Sequence, residues 1–526
     1  DQVKSLQFTP DNSYLLSGGL EKVLVFWQLD TDKTQFLPRL NGSIEKISID
    51  TAKSDFYTLL LSMPVITSED FENTEYSDDT ENNNEILVIS AVDLASRLSV
   101  NGVRPKFAHA AIKASLAKTN KRFHKIGESF VKSKIRHDYS SVFEVHPKTQ
   151  FLYFPRGGSI QVYDPIRNEQ VFTQHAASVL QMGKVRSESK LIDPNVSHVS
   201  FTSNGEWMCT FDSIASSKVD NLLSKNDNQY SLKFWKYVDN LTGKNPFWEL
   251  SSKIIDPHGP GNEVVSISPA PGSYHGGLAF ITADVKGGLR IWRPRIPKEM
   301  YQKLQSSQTQ NNQTQANVQF QQTAWTLRKM KPSGALSSPA VSVAWSDDGS
   351  LIVLGHESTI TTLNTHTFEE ASFQVPSLSG SRIRYLEILG HYLVVLSKTR
   401  ITTYNLLLGE FTPLTAKVNS PIGGANLIAV DKTQNQIGLA LNYYDEVDGE
   451  LVVKAKILVF EPNSLVPIYS TIHNQGVSSI RKYKSGFAFV DLDSRVGHIS
   501  SASAELENDA EISEITKDMN KMLETA

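Results

Sequence analysis

The segment VKSLQFTPDNSYLLSGGLEKVLVFWQLD, from Val3 to Asp30, contains three short runs rich in aliphatic and aromatic residues. A Thr-Pro-Asp-Asn turn at residues 9–12 separates the first two runs, and the third ends on Trp27 followed by a polar residue. Short apolar runs bounded by Pro, Gly, Asn and Asp are typical of antiparallel β-strands. The segment therefore predicts a small sheet whose third strand closes on an aromatic ring.

The same unit recurs along the chain, which is the signature of a repeat architecture. Three more clear copies contain Val199–Phe201, Val264–Pro269 and Val341–Gly349, and two of them close on Trp235 and Trp292. In weaker copies another aromatic residue replaces the tryptophan, namely Tyr163, Tyr404 and Phe460. First strands are predicted to start near residues 3, 44, 141, 196, 263, 340, 382, 425 and 477.

Repeats of this kind, with about forty to sixty residues each, predict an all-β fold of tandem WD-repeat β-propellers. Nine repeats exceed one ordinary propeller. We therefore interpret residues 1–100 as the last two blades of an upstream propeller, 101–140 as a basic linker and 141–500 as a complete seven-bladed second propeller. The last blade lacks a fourth strand, which Phe130 to Arg136 could supply to close the ring. Because Asp1 stands directly before a strand pattern, we expect a fragment that lacks its N-terminal portion.

The composition is that of an ordinary globular protein, with 40% hydrophobic and 21% charged residues in 526. The single cysteine, Cys209, excludes an internal disulfide and disfavours a thiolate metal site. Its neighbours predict a strand, so a buried structural role is expected. No apolar run approaches the ~18 residues needed to cross a bilayer, which predicts a soluble protein without membrane contact.

Catalytic motifs are absent from the sequence. It has no phosphate-binding loop, no His-Glu-x-x-His and no Gly-x-Ser-x-Gly. We interpret the glycine doublets as turn residues with positive φ; these are Gly18-Gly19, Gly157-Gly158, Gly276-Gly277 and Gly287-Gly288. We therefore predict a protein that is not an enzyme, and assign no catalytic, cofactor-binding or metal-binding residue and no small-molecule substrate.

Two segments have an unbalanced charge. Glu69 to Glu85 carries eight carboxylates and no basic residue, and is interpreted as a solvated loop. Lys113 to His137 is basic and interleaved with Phe123 and Phe130, a combination that can bind phosphates and stack bases. A solvated linker would have the same composition. The candidate RNA-binding residues are Lys121, Arg122, Lys125, Lys132, Lys134 and Arg136.

After residue 500 the periodicity changes to that of a helix. Ala504 to Glu524 predicts an amphipathic helix, with acidic residues outside an apolar stripe. Two alternatives remain for the packing of this helix: against the chain's own propeller or against a partner chain. The apolar residues of this candidate partner-binding helix are Leu506, Ile512, Ile515, Met519, Met522 and Leu523.

Residues 1–40 resemble a known family. The resemblance is carried by Phe8–Asp11, Tyr14–Glu21, Val23–Trp27 and Phe36–Leu40, and continues in Phe151–Tyr153, Ile160–Tyr163 and Leu232–Tyr237. These residues are similar to the fungal U three small nucleolar RNA-associated protein 17 family, whose animal counterpart is a nucleolar WD-repeat protein.

The resemblance implies a non-catalytic scaffold in the nucleolus, a subunit of the UtpA complex. Such a subunit binds the 5′ leader of the ribosomal RNA precursor, nucleates the small-subunit processome for 18S maturation and supports ribosomal RNA transcription. The implied partners are the sister WD-repeat and helical subunits, the precursor leader and small nucleolar RNA.

Two other classes of propeller remain as alternatives. One recruits proteins elsewhere, as a ubiquitin-ligase receptor or a trafficking coat subunit does, although Ile291–Arg295 lacks the Asp that follows Trp in ligase receptors. The other is a propeller hydrolase, which needs a Ser/His/Asp set or inward acids that the sequence does not assemble. The fold alone does not separate these functions.

Overall fold

The computed structural model describes most of the chain. It covers residues 2–37, 40, 42–49, 55–63, 83–94, 96–108, 139–177, 194–214, 228–238, 247–295, 324–447 and 450–500. The candidate RNA-binding residues, the possible closing strand Phe130 to Arg136 and the C-terminal helix lie outside these ranges.

Antiparallel strands build nearly all of the regular secondary structure in the described ranges, which confirms the all-β prediction. The only helices within these ranges are two short 3₁₀ turns, His275–Gly277 and Gly424–Leu427. In the part of the chain that the structure describes, thirty-four strands form nine sheets, and in each sheet consecutive strands are neighbours. Seven sheets have four strands and two have three.

The first four sheets lie within residues 3–255. The first contains β1 Val3–Phe8, β2 Tyr14–Gly19, β3 Leu24–Gln28 and β4 Thr34–Leu37, and the second β5 Ser43–Ile49, β6 Phe56–Met63, β7 Asn83–Ser90 and β8 Ser96–Val100. The third contains β9 Glu144–Val145, β10 Leu152–Arg156, β11 Ser159–Asp164 and β12 Glu169–His175, and the fourth β13 Asn195–Phe201, β14 Trp207–Ile214, β15 Gln229–Val238 and β16 Phe247–Ile255.

The remaining five sheets follow in chain order. The fifth contains β17 Val264–Pro269, β18 Phe280–Asp284, β19 Leu289–Arg295 and β20 Ala324–Lys331, and the sixth β21 Val341–Trp345, β22 Leu351–His356 and β23 Thr359–Asn364. The seventh contains β24 Ile383–Leu389, β25 Tyr392–Ser397, β26 Arg400–Asn405 and β27 Glu410–Lys417. The eighth contains β28 Ile428–Asp431, β29 Gln436–Val447, β30 Glu450–Phe460 and β31 Tyr469–His473, and the ninth β32 Val477–Tyr483, β33 Gly486–Asp491 and β34 Val496–Ile499.

A recurring irregularity shows that the sheets repeat one unit. In six of the nine sheets the register between the first two strands shifts near the start of the first strand, after the first or the second pair, for example between Val3 and Ser5 and between Val477 and Ser479. Such a bulge bends the strand and increases its twist. Its repetition at the same place indicates the same bend in each repeat.

The core is distributed in layers between successive sheets rather than gathered at one centre. Leu16, Leu24 and Phe26 of the first sheet pack on Ile44 and Leu59 of the second. From the third sheet to the ninth, an equivalent apolar layer joins each sheet to the next one along the chain. Face-to-face packing of antiparallel sheets requires the alternation of inward residues that the sequence shows.

The glycine doublets have two different roles. Gly157, Gly276, Gly277 and Gly287 have positive φ, as predicted for turns. Gly18 and Gly19 lie inside β2, so their assignment to a turn is wrong. A Cβ on Gly18 would lie 2.5 Å from Cδ1 of Ile44, and the close approach of the second sheet explains this glycine.

The ninth sheet contacts the third. The Ser141 amide donates to the Ser478 carbonyl oxygen at 3.0 Å, and the hydroxyls of the two serines are 2.8 Å apart. Phe143 is fully buried in a cluster with Ala488 and Val490 of β33. Each of the seven sheets from the third to the ninth therefore touches two others in the same series.

The segment from Asn101 to Phe107 packs between the ninth and third sheets. Val103 is 4% exposed in the same apolar cluster as Phe143. The Gln161 side chain donates to the Asn101 side-chain oxygen and to the Gly102 carbonyl, each at 3.1 Å, and accepts from the Arg104 amide at 2.9 Å. This part of the predicted linker thus belongs to the packed structure.

Candidate interaction surfaces and the buried polar groups behind them

A chain of hydrogen bonds crosses the interior of the fifth sheet. The Trp292 indole donates to the Thr282 hydroxyl at 2.9 Å, and that hydroxyl lies 2.7 Å from Nε2 of His258. Nδ1 of His258 lies 3.1 Å from the Asp284 carboxylate, so the histidine donates there and accepts from Thr282. All four side chains are buried and satisfy one another, which fixes the sheet.

The ionisation of this network fits a structural role. Burial lowers the pKa of His258, more than the neighbouring Asp284 raises it. Burial alone would raise the pKa of Asp284, but hydrogen bonds from His258, Ser333 and the Gly288 amide lower it to about 2. The pair therefore consists of a neutral histidine and a carboxylate near pH 7, and both side chains are buried.

A buried ion pair lies within the fourth sheet, between β14 and β15, and its lysine also reaches the backbone that follows β12 of the third sheet. Nζ of Lys233 lies 2.6 Å from the Asp212 carboxylate and 2.7 Å from the Ala176 carbonyl oxygen. The two side chains are 6% and 2% exposed. Burial raises the pKa of Asp212, and Lys233 opposes that shift. The sequence offered no signal for this pair, because each residue stands alone in a strand.

No reactive thiol or metal site occurs in the described part of the chain. Cys209 is fully buried, and burial raises the pKa of its thiol well above the ordinary value. The expected structural role of this residue is consistent with that environment. Across the same residues no group of three His, Cys, Asp or Glu side chains is placed to hold a metal ion, and no helix has the length and apolar character to span a membrane.

A cavity of about 730 Å³ is lined by the first strands, or their flanking residues, of all seven sheets from the third to the ninth. Arg481 at its wall binds Glu144 of the third sheet at 2.8 Å. Lys482 binds Asp431 at 3.1 Å and Lys432 binds Glu387 at 3.0 Å, so ion pairs join neighbouring sheets around the opening. Since these charges pair with one another, the cavity carries no free acid–base set among them.

The second sheet is joined to the third by a buried polar contact. Arg104 binds Glu85 at 3.2 Å, with side chains that are 8% and 1% exposed. Beside them the Asn101 amide donates to Gln170 of β12 at 2.8 Å. The interpretation of Glu85 as part of a solvated loop is therefore wrong: it lies in β7, and Arg104 compensates its charge. Burial lowers the pKa of Arg104, and Glu85 opposes that shift.

The residues on either side of the basic segment lie next to each other. Phe107 and Ser141 form an antiparallel bridge, and the Ala108 amide donates to the Ser140 carbonyl at 2.8 Å. The Tyr139 hydroxyl lies 2.6 Å from that of Tyr444. Residues 109–138, which include all six candidate RNA-binding residues, thus depart from and return to one point beside the third and ninth sheets.

The first sheet has one uncovered apolar face. Leu6, Phe8, Trp27 and Phe36 lie on the side away from the second sheet and are 60%, 53%, 45% and 61% exposed. The Trp27 indole still donates to the Ser17 hydroxyl at 2.9 Å, as Trp292 does to Thr282. Such a face is typical of a sheet that packs against another sheet.

The chain is similar to several known proteins, although no family model matches it. It is 32% identical to NET1-associated nuclear protein 1 of Saccharomyces cerevisiae over 94% of this chain and 54% of that protein. It is 27% identical to U3 small nucleolar RNA-associated protein 17 of Schizosaccharomyces pombe, over 80% of this chain and 47% of that protein. WD repeat-containing protein 75 of Mus musculus is 23% identical over 70% of this chain and 34% of its own length. The chain thus spans about half or less of each relative.

One solved structure, of Saccharomyces cerevisiae Sqt1, aligns with 88% of this chain and 96% of its own at 12% identity. The TM-score is 0.36, so the alignment carries no further conclusion.

Proposed function

This chain is homologous over most of its length to WD-repeat proteins of the U3 small nucleolar RNA-associated protein 17 type, and from that premise we propose a non-catalytic scaffold subunit of the small-subunit processome. In this role it organises the 5′ leader of the ribosomal RNA precursor and partner proteins for 18S maturation, and supports ribosomal RNA transcription. The proposed location is the nucleolus, and the partners are other UtpA subunits. The observation that carries the proposal is the similarity along 94% of the chain.

The proposed architecture has two propellers. Residues 141–500 form a closed seven-bladed ring, supported by the contact of the ninth sheet with the third and by the cavity that seven sheets share. Residues 1–100 form the last two blades of an upstream propeller, supported by the uncovered face around Trp27. A further sheet on that face would bury the exposed rings.

Such a molecule acts through its outer surfaces. The interior polar groups described above pair among themselves, so they stabilise the sheets. Loops and turns at the rim of rigid sheets are the usual place for recognition.

Co-purification tests this function. The tagged full-length protein should recover ribosomal RNA precursor containing the 5′ leader together with other WD-repeat and helical processome subunits. Recovery of ubiquitin-ligase or coat subunits without that RNA would favour the alternative, a protein-recruiting propeller of another complex.

We further propose that the basic segment contacts the precursor RNA. Its flanks meet at the bridge between Phe107 and Ser141, so the segment begins and ends at one place beside the third and ninth sheets. Phosphate contacts of this kind give affinity without reading sequence. The contacting residues are Lys121, Arg122, Lys125, Lys132, Lys134 and Arg136.

Neutralising five of these cations should weaken RNA binding. The variant replaces Lys121, Arg122, Lys125, Lys132 and Lys134 with glutamine in the full-length protein. If each contacts one phosphate of a single strand, the slope of log K against log salt should become shallower by roughly 3 to 4. Crosslinking to precursor RNA should fall in parallel.

A matched variant controls for net charge. It replaces with glutamine five exposed lysines in strands or directly beside them, Lys33, Lys253, Lys398, Lys417 and Lys456. Equal losses in the two variants, or no loss in the first, would show that the basic segment is a plain connection.

A further inference from the structure

Six exposed apolar side chains lie on neighbouring turns of the seventh and eighth sheets, in the β26–β27 and β30–β31 connections and at the start of β27. We call them the rim patch. Leu407 and Val466 are 79% and 74% exposed, among the highest values for apolar residues in the described chain. The full set is Leu407, Leu408, Phe411, Leu465, Val466 and Ile468.

Specific contacts hold the two turns together. The Pro462 carbonyl oxygen accepts hydrogen bonds from the Thr403 hydroxyl at 2.7 Å and from the Thr412 hydroxyl at 2.9 Å. The Phe411 ring lies edge-on to Tyr404, with centroids 5.5 Å apart. The hydrogen bonds to Pro462 therefore fix the two turns next to each other, and turns are an unusual place for so many large apolar side chains.

The chain leaves the ninth sheet on the same face. Ile499 is the last residue of β34. It pairs with Phe487, which lies near the start of β33, just after the β32–β33 turn. The seventh sheet has the same geometry. Asn405, at the end of β26 and just before the rim-patch turn, pairs with Tyr392, which directly follows the β24–β25 turn. The eighth sheet has the same arrangement. Residues after Ser500 thus start on the face that carries the rim patch, one sheet away from it.

We propose that the segment from Ala504 to Glu524 folds back as an amphipathic helix and covers the rim patch. At 100° per residue, Ile512, Ile515, Met519, Met522 and Leu523 fall within one third of the helix circumference. The four residue steps from Ser500 to Ala504 can span about 14 Å when extended, which exceeds the ~10 Å between packed sheets. The apolar stripe and the rim patch each need a cover, and the short tether brings them together.

Charge favours the same docking. Residues 501–526 contain seven acidic and two basic side chains. Lys432 and Lys484 lie in turns on the face of the rim patch, and Lys482 lies at the end of β32 beside the second of these turns. Lys432 and Lys482 are 39% and 35% exposed although they pair with acids. Opposite charges around an apolar contact set its orientation. This inference does not depend on the proposed function.

Hydrogen exchange read by mass spectrometry tests the docking. Amides of residues 406–411 and 464–468 should exchange about tenfold faster in a chain ending at residue 500 than in the full chain. A synthetic peptide of residues 504–524, added to the short chain, should restore the slow exchange. The full chain carrying Ile515→Asp and Met519→Asp should behave like the short chain.

A reciprocal variant covers the case in which truncation disturbs the fold. Leu408→Asp with Val466→Asp in the full chain should speed exchange within 504–524, whereas the control Leu336→Asp, at a residue 62% exposed elsewhere, should not. Unchanged exchange at the rim patch after truncation would overturn the proposal. Protection that depends on protein concentration would also overturn it, because the covering segment would then come from another molecule.

Discussion

Replacing Lys233 by methionine should lower the free energy of unfolding by about 3–5 kcal/mol at pH 7. The substitution keeps the apolar stem and removes the cation 2.6 Å from Asp212, so it leaves a carboxylate in a site only 2% exposed. The Ala176 carbonyl oxygen loses its donor as well. Thermal melting of the full chain, together with hydrogen exchange in β14 and β15, would measure the loss and locate it.

The loss should shrink in mild acid. Burial already raises the pKa of Asp212, and removing Lys233 raises it further. A carboxyl whose folded pKa exceeds its unfolded value binds more protons when folded, so its stability deficit falls as pH decreases below the folded pKa. The deficit against the natural chain should therefore be smaller at pH 5 than at pH 7.

An exposed pair provides the control. Arg97 and Asp93 lie 2.6 Å apart with side chains 52% and 47% exposed, and Arg97→Met should change stability by less than about 1 kcal/mol. Equal effects of the two substitutions would show that Asp212 and Lys233 are solvated in solution.

Phe143→Ala should lower the free energy of unfolding by about 3–5 kcal/mol. It should loosen the contact between the third and ninth sheets more than any other contact between sheets. The ring is fully buried, stacks on Phe154 with centroids 5.5 Å apart and lies 5.9 Å from the Arg481 guanidinium. Because the cluster joins the third sheet to the ninth, exchange should accelerate mainly in β10 and β33.

The matched control for this variant is Phe36→Ala, which removes a ring that is 61% exposed. Melting temperatures should differ between the two variants by several degrees, with the Phe36 variant close to the natural chain. Uniform acceleration of exchange in every sheet of the Phe143 variant would argue against a local closing contact.

Local patterns were sufficient to locate the sheets. The nine predicted first strands lie within three residues of the observed ones; the strand expected near 263, for example, begins at Val264. This succeeded because turns with Pro, Gly, Asn and Asp bound each apolar run, and because Trp235 and Trp292 mark third strands. At the end of a third strand, what matters is that a large ring is buried. Tyr163 and Phe460 therefore identify third strands as the tryptophans do.

Contacts between distant residues could not be predicted in this way. Glu85 belongs to an acidic run whose composition indicates solvent, yet Arg104 folds against it once the second sheet meets the third. Gly18 has no positive φ, and only the position of Ile44 explains it. The rim patch left a signal, since Leu406-Leu407-Leu408 and Leu465-Val466 place large apolar residues in turns, but its meaning depends on which turns share a face.

The circular arrangement of the seven sheets is tested most directly by a crosslink between the third and ninth. The Lys484 amide lies 3.2 Å from the Gln150 side-chain oxygen, although the residues are 334 positions apart, and the natural cysteine is buried. A chain with Gln150→Cys and Lys484→Cys should form an intramolecular link with a short thiol crosslinker, visible as a monomer of altered mobility and a linked peptide pair. A closed ring predicts high yield for this pair and none for Leu336→Cys with Lys484→Cys. Failure of the first pair to link, or linking only between molecules, would contradict the ring.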